Sequence, residues 1–343
     1  MPNASVIPVI DLGPYLAGEP GALDRAAAEL RHALTDIGFY SIVNHGVPSA
    51  LMHEVYRQVA RFHAQPLDEK LKIKLDKHNV GYLQMMGDTL RTSVVANVTK
   101  PNMNEAFFMA RDLAPDHPDV VSGRRFRSAN QWPEGLPGFR EALVEYCDAL
   151  ERLVQRLVRV YARALDLPAT YFDGPFSDFQ YKLRATHYPS QPKAPDDEFG
   201  IAPHTDTSFL TLLAPNDVPG LAFRTQAGDW IEVPTVPEWR AVVAALDQRS
   251  FPRNAAPRSQ SHWRRALRAG VFLRRPDRLA DRRRTDLRRP RPPASIRDDL
   301  LHRLHDLLSG GGPITSSAIR PRTRRNDGAA GQLFMRRFEI NGP

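Results

Sequence analysis

The sequence predicts an α+β fold in which a jelly-roll core of antiparallel strands is supported by helices from the N-terminal half. Apolar residues recur at helical spacing through much of the chain before Leu165. After Phe172, short apolar runs alternate with turn residues at intervals of roughly ten residues, which is typical of a β-sandwich or barrel. An arginine- and proline-rich stretch after Leu246 follows neither pattern. We therefore expect an atypical C-terminal part.

The N-terminal half is predicted to open with a strand and to continue mainly as helices. Val6–Leu12 is a β-branched run that contains a proline and is closed by turn formers, which indicates an edge strand. Helices are predicted at Leu23–Thr35, Leu51–Phe62, Leu67–Leu75 and about Leu136–Leu165, with a strand at Phe39–Val43 and a turn at Asn44–Pro48. In the longest helix one apolar side is formed by Leu143, Tyr146, Leu150, Leu153 and Leu157.

The second half is predicted to form short strands. They are Tyr181–Tyr188, Phe209–Leu213, Leu221–Arg224 and Trp230–Val233. We divide the chain into an N-terminal domain over residues 5–120, a linking long helix within 121–175, an incomplete jelly-roll core over 176–245, and a tail over 246–343. The tail is expected to be disordered or translated out of register.

Composition excludes several classes of protein. The 343 residues are 42% hydrophobic and 25% charged, as in soluble globular proteins, and no run of 18 apolar residues suggests a membrane span. Cys147 is the only cysteine, which excludes disulfides within the chain and fits a reducing, cytoplasmic location. The net charge of +8 comes from Arg249–Arg291, which holds 15 arginines and 3 acids. A nucleic-acid-binding arm is therefore disfavoured, because the stretch lacks lysine and interleaved aromatic residues.

His204 and Asp206 are the candidate metal ligands. On a strand or its extended exit, side chains two residues apart project to the same face, so one imidazole and one carboxylate converge. A distant third histidine would complete a 2-His-1-carboxylate triad, which leaves coordination positions on Fe(II) open for a chelating cosubstrate and O₂. The two residues alone are a weak signal, and the surrounding sequence must supply the specificity.

Several motifs that follow one another along the chain supply this specificity. Pro8–Leu12, Gly38–Tyr40, Asn44–Pro48, Leu183–Pro189, Pro203–Asp206, Leu210–Leu213, Gly220–Leu221 and Gly228–Pro234 follow one another in order and spacing. In these motifs the sequence resembles the isopenicillin N synthase-like iron(II)- and 2-oxoglutarate-dependent dioxygenases, over about two-thirds of the chain. The resemblance implies a double-stranded β-helix, cupin-like core, Fe(II) as cofactor, 2-oxoglutarate as cosubstrate, and O₂ and a small organic molecule as substrates.

The resemblance also implies roles for single residues. It makes His204 and Asp206 iron ligands and lets Tyr188 hydrogen-bond a carboxylate of 2-oxoglutarate, although a tyrosine that only fills the barrel is an equal interpretation. We interpret His45 as a residue that fixes its turn. Asn104–Phe108 matches a substrate-facing segment of the family, and we interpret it as core packing.

The resemblance stops after Pro237. The distal histidine motif and the following Arg-x-Ser motif, which binds the far carboxylate of 2-oxoglutarate, are absent. Codons for Leu246–Phe272 can be chosen so that reading one nucleotide later yields a segment beginning WTNDRFLATPHRVV, which closely matches what the resemblance implies. We hypothesise that the chain from roughly Glu238 is translated out of register, which places the distal ligand's codon across Ala256 and Pro257.

The tail offers substitutes of its own. His262 lies 56 residues after Asp206 and is a weak candidate for the third ligand; an exposed histidine beside Trp263 is the favoured interpretation. His302 and His305 are interpreted as one solvated face of a short helix. Three functions follow: an Fe(II)/2-oxoglutarate oxygenase that hydroxylates, desaturates or closes a ring; a catalytically impaired remnant without the distal ligand; and, least favoured, a nucleic-acid-binding tail.

Overall fold

The structure is a computed structural model and describes part of the chain. The described residues are 7–89, 100–124, 127–190, 199–204, 209–214, 218, 220–224, 230–233, 242–245, 250–252 and 266–274. All of them lie in one compact unit, Met1–Pro276. The helices are α1 Gly13–Leu16, α2 Ala22–Asp36, α3 Ser49–His63, α4 Leu67–Leu71, α5 Pro118–Val121 and α6 Phe139–Ala164. No helix in these ranges is both long enough and apolar enough to span a membrane.

Eleven strands of the described ranges form two sheets. They are β1 Val9–Asp11, β2 Tyr40–Val43, β3 Gly81–Leu83, β4 Glu105–Ala110, β5 Gln180–Tyr188, β6 Leu210–Ala214, β7 Leu221–Arg224, β8 Trp230–Glu232, β9 Val242–Ala245, β10 Ser250–Pro252 and β11 Ala266–Arg274. The larger sheet has the order β1-β2-β9-β6-β11-β5-β4-β3, and the smaller has the order β10-β7-β8. Among these strands only β1 and β2 pair in parallel. The predicted α+β class is confirmed.

The long helix α6 carries the predicted apolar side into the core. Its five predicted core residues are each at most 3% exposed: Leu143, Tyr146, Leu150, Leu153 and Leu157. The helix begins after Gly138, whose φ of 85° is in the left-handed region that favours glycine. A Cβ there would also lie 2.7 Å from the side-chain nitrogen of Gln58 on α3. Gly138 therefore lets α6 start in close contact with α3.

Most N-terminal elements agree with the sequence prediction. The predicted edge strand is β1, which lies at one end of the larger sheet. In the turn after β2, the Val47 backbone N–H donates to His45 Nδ1 at 3.2 Å, and the His45 side chain is buried. The turn-fixing interpretation of His45 is therefore confirmed. Burial also lowers the pKa of His45, so the ring stays neutral and can accept this bond.

The structure differs from the sequence expectation in the tail. β10 and β11 lie within residues 246–343, where regular alternation of apolar and polar residues is lost. β11 pairs antiparallel with β5 on one side and with β6 on the other. Its sequence contains the apolar run Val271–Leu273, and a run of this kind is compatible with a strand even without alternation. The rest of the tail lies outside the described residues.

Candidate active site

Strand β5 presents different side chains on its two faces. Side chains alternate along a strand, so Arg184, Thr186 and Tyr188 share one face and Ala185 and His187 the other. Tyr188 packs against Ile201 and Ala202, in the segment that leads to His204. The face of β5 that carries Tyr188 is therefore the one turned toward the predicted metal ligand, and we call it the ligand face.

Residues just before β4 hold the segment that leads to His204. Asn102 accepts a hydrogen bond from the Ala202 backbone N–H at 2.8 Å, and the Met103 N–H donates to the Phe199 carbonyl at 2.9 Å. The Asn104 side-chain amide donates to the Gly200 carbonyl. Asn102 and Asn104 are both buried, so these bonds are shielded from competing water. The backbone before His204 is thus fixed by three contacts.

His204 is held in the form that a metal ligand requires. Its Nδ1 donates to the Ala202 carbonyl at 2.9 Å, and the ring is partly buried. In the neutral ring, a proton on Nδ1 leaves Nε2 unprotonated, and an unprotonated nitrogen is what coordinates a metal ion. A backbone carbonyl behind the ligand also fixes the orientation of the ring, as is usual for metal-binding histidines. The described geometry of His204 is therefore compatible with the role of a metal ligand.

The remaining predicted ligands lie outside the described residues. Asp206 falls in the gap at 205–208, and His262, the candidate substitute, falls after 252 in residues that the structure does not describe. His302 and His305, which are interpreted as a solvated helical face and not as ligands, also lie outside the described residues. They stay predictions from the sequence. Tyr188 is described, is partly buried, and lies on the ligand face.

Arg184 is a partly buried cation on the ligand face. One of its terminal nitrogens donates to the Asn104 side-chain oxygen at 3.0 Å, and its guanidinium carbon lies 5.2 Å from the centre of the Phe108 ring. Its Nε is buried and has no hydrogen-bond partner. Among the described residues no carboxylate lies within salt-bridge distance of it. The prediction that Asn104–Phe108 packs in the core holds for Phe107, which is fully buried. Phe108 instead contacts Arg184 on the ligand face.

A second set of polar side chains lies on the opposite face of the same strands. We call His63, Lys70, Tyr82, Glu105 and His187 the buried cluster. Glu105 on β4 is directly opposite His187 on β5, and His187 Nδ1 donates to the Glu105 carboxylate at 2.7 Å. The other carboxylate oxygen accepts from Lys70 Nζ at 2.8 Å and from the Tyr82 hydroxyl. His63 Nε2 donates to the Ala185 carbonyl at 3.2 Å, and its Nδ1 lies 3.5 Å from Glu105.

The buried cluster has the donor types of a 2-His-1-carboxylate site, but its carboxylate is already paired with Lys70. Ligand atoms of His63, Glu105 and His187 lie within 4.8 Å of one another. The Lys70 ammonium, however, already contacts the carboxylate, and adding a divalent ion would leave a large excess of positive charge in a buried place. His187 also points away from the ligand face. We therefore assign the cluster to the framework and not to the metal site.

Electrostatics in the buried cluster favour one protonation state. Burial by itself would raise the pKa of Glu105, but hydrogen bonds from His187, Lys70 and Tyr82 outweigh it and hold that pKa far below the usual range. Burial lowers the pKa of His63, with partial compensation by Glu105. Burial and the neighbouring carboxylate raise the pKa of Tyr82. The stable form is an ionised Glu105 beside a charged Lys70 and a neutral His63.

Sequence reasoning missed this cluster and strand β4. A glutamate next to an apolar run, as in Glu105-Ala106-Phe107-Phe108, was the available signal, because a carboxylate is rarely buried without a partner. Its partners could not be read from the sequence, since Lys70 and His187 lie 35 residues before it and 82 residues after it.

Comparison with known proteins agrees with this geometry. Residues 7–135 match the family described as the N-terminal region of non-haem dioxygenases in morphine synthesis, and residues 179–268 match the 2OG-Fe(II) oxygenase superfamily. The chain is 32% identical over 237 residues to the 2-oxoglutarate-Fe(II) type oxidoreductase hxnY of Emericella nidulans, which covers 67% of this chain and 66% of that protein. It is 33% identical over 242 residues to the 2-oxoglutarate-dependent dioxygenase citB of Monascus ruber, covering 66% and 70%.

Solved structures show the same fold. A 2OG-Fe(II) oxygenase family protein from Caulobacter crescentus superposes with a TM-score of 0.66 at 21% identity, covering 88% of this chain and 98% of that one. The chain spans about two-thirds of the length of the first of the two sequence relatives. With two family matches in order along the chain and His204 fixed by the Ala202 carbonyl, the chain belongs to the 2-oxoglutarate- and Fe(II)-dependent oxygenases.

Proposed function

We propose that the chain binds Fe(II) through His204 and Asp206 and uses 2-oxoglutarate and O₂ to oxygenate a small organic molecule. Fe(II) and 2-oxoglutarate are the cofactor and cosubstrate of the family. The observation that carries the proposal is the hydrogen bond from His204 Nδ1 to the Ala202 carbonyl at 2.9 Å, because the neutral ring in this tautomer can coordinate a metal through Nε2. Hydroxylation, desaturation and ring closure are all open to such a site.

The chain's own residues have separate roles in this proposal. His204 and Asp206 would hold the metal, and Tyr188 would donate its hydroxyl to a carboxylate of 2-oxoglutarate. Its place on the ligand face, in contact with the segment before His204, supports that role. When bound, Fe(II) supplies the centre at which O₂ is activated as 2-oxoglutarate loses CO₂ and becomes succinate.

We also propose that the core is a double-stranded β-helix. Support comes from two sheets in the described residues and from the antiparallel run β9-β6-β11-β5-β4-β3 in the larger one. In this arrangement Ala266 of β11 is opposite Tyr188. The out-of-register hypothesis places the codon of the family's carboxylate-binding arginine across Ala266 and Leu267, so the restored chain would have that arginine beside Tyr188. A cytoplasmic location is likewise proposed on the single, buried Cys147.

The third iron ligand has two alternative sources in this proposal. It comes either from His262 of the chain as written or from the histidine that the restored frame encodes. Without either, the chain is the impaired remnant, which keeps two ligands and turns over little or no cosubstrate.

The proposal is tested by succinate formation from 2-oxoglutarate with added Fe(II), using the chain as written and the frame-restored chain. We expect turnover in the frame-restored chain and its loss in His204→Ala. His32→Ala is the matched control, because His32 is an exposed histidine on α2. Equilibrium dialysis with Fe(II) under argon reports metal binding separately. Succinate formation that survives His204→Ala in the restored chain would refute the assignment of His204.

The same assay separates the alternatives for this polypeptide. Turnover by the chain as written that is lost in His262→Ala assigns the third ligand to His262. A folded chain as written that binds iron and makes no succinate, beside an active restored chain, identifies it as the remnant.

A further inference from the structure

Arg184 is a charged side chain on the ligand face that the proposed reaction does not use. We propose that it binds a carboxylate of the small molecule that occupies this face. The inference rests on the proposed function, because it assigns a recognition residue to the same site. It goes beyond that function in naming the chemical class of the ligand.

The first argument is the unbalanced charge of Arg184. A guanidinium stays protonated at any relevant pH, and charged groups that lose solvent are normally paired. Within the described residues the contacts of Arg184 are with neutral groups, Asn104 and Phe108. Its Nε is buried with no acceptor. The side chain therefore carries a charge that no acidic group among the described residues balances and an N–H group that no acceptor satisfies.

The second argument is its position. Asn104 accepts from Arg184 with its side-chain oxygen and donates to the Gly200 carbonyl with its side-chain nitrogen. The same amide thus joins Arg184 to the segment that leads to His204. Arg184 is also four residues before Tyr188 on the same face of β5. A ligand that contacts Arg184 is then held on the face where the metal ligand enters.

The third argument is the chemistry that this arrangement selects. A planar guanidinium matches a carboxylate through two parallel N–H···O bonds. One arginine balances the single charge of a carboxylate but not the higher charge of a phosphate monoester. Lys182, the next cation on this face, already donates to the carbonyls of His78 and Asn79. The Phe108 ring beside the guanidinium adds an apolar wall, so an aryl or alkyl carboxylate fits best.

The carboxylate has two sources, the primary substrate and 2-oxoglutarate itself, and one experiment distinguishes them. The probes are phenylacetate, its neutral analogue phenylacetamide, phenyl phosphate, and 2-oxoglutarate. Each is titrated by calorimetry into the full-length chain in the presence of Mn(II), which requires no turnover. The readout is the ratio of the Kd of the amide to the Kd of the carboxylate. A purely structural role of Arg184 would change both affinities together.

We expect the wild-type chain to prefer phenylacetate over phenylacetamide and phenyl phosphate. In Arg184→Gln, which can still donate to Asn104, phenylacetate affinity should fall by about ten- to hundredfold while phenylacetamide affinity changes little. Arg184→Lys should keep part of the preference. Arg159→Gln is the matched control, because it removes an arginine that already pairs with Asp173 at 2.9 Å on the surface.

The 2-oxoglutarate titration assigns the source. Unchanged 2-oxoglutarate affinity in Arg184→Gln assigns the carboxylate to the primary substrate, and an equal loss assigns it to the cosubstrate. A wild-type ratio near one, an unchanged ratio in Arg184→Gln, or tighter binding of phenyl phosphate would overturn the inference. Failure of the proposed function has a different signature, namely carboxylate selectivity that is retained in a chain that forms no succinate.

Discussion

Replacing Glu105 by glutamine should destabilise the chain strongly. The carboxylate is buried and accepts from Lys70 at 2.8 Å and His187 at 2.7 Å, as well as from Tyr82. Glutamine leaves the Lys70 ammonium, whose side chain is 8% exposed, without its counter-charge. Breaking a buried ion pair by removing one partner costs about 3–5 kcal/mol. We expect a loss of that size in the free energy of unfolding at pH 7.5, measured by urea denaturation with circular dichroism.

The control is an ion pair of similar length on the surface. Asp24→Asn removes the partner of Arg163 at 2.8 Å, where the two side chains are 63% and 41% exposed, and should cost about 1 kcal/mol or less. A double variant, Lys70→Met with Glu105→Gln, should be less destabilised than the sum of the single variants, because no unpaired charge remains. A Glu105→Gln cost no larger than that of Asp24→Asn would refute the framework role of the buried cluster.

Three further outcomes follow from burial and charge. Because the pKa values of Glu105 and His63 are lower in the folded than in the unfolded chain, urea midpoints should fall as pH drops below about 6.5 and again below about 4.3, and a constant midpoint from pH 8 to 4 would contradict this. Burial raises the pKa of the Cys147 thiol, so Ellman's reagent should label it only after unfolding, and rapid labelling of the native chain would disprove its burial. Leu150→Ala should cost about 2–5 kcal/mol in urea denaturation, against about 0.5 kcal/mol or less for the exposed Leu67→Ala; equal costs would show that the apolar side of α6 is misassigned.

The sequence predicts the three long helices, α2, α3 and α6, and strand β5 well because their signals are local. The apolar side of α6 follows from residues three and four positions apart, and all five predicted residues are buried. Strand β11 was not predicted, because its place between β5 and β6 depends on pairing with residues that lie 55 or more positions earlier in the chain. Long-range pairing leaves little trace in a single sequence.

The candidate site divides in the same way. His204 is found from the sequence because a histidine and an aspartate two residues apart stand among ordered motifs. Its fixed tautomer depends on the Ala202 carbonyl, which only the folded backbone positions. Arg184 lies in one of these motifs without a predicted role, because its lack of an acidic partner becomes visible only when its neighbours are known.

The alternation of side chains along β5 separates positions that support the framework from positions on the ligand face. His187 contributes to the framework, while Arg184 and Thr186 lie on the ligand face. A library randomised at these two ligand-face positions would therefore explore substrate preference while the anchor of the strand stays intact. The reverse holds for insertions, since one added residue before His187 would exchange the two sets of side chains and damage recognition and stability at once. If the proposed ligand face binds the substrate, point substitution on that face, rather than a change in strand length, would alter recognition while leaving the framework intact.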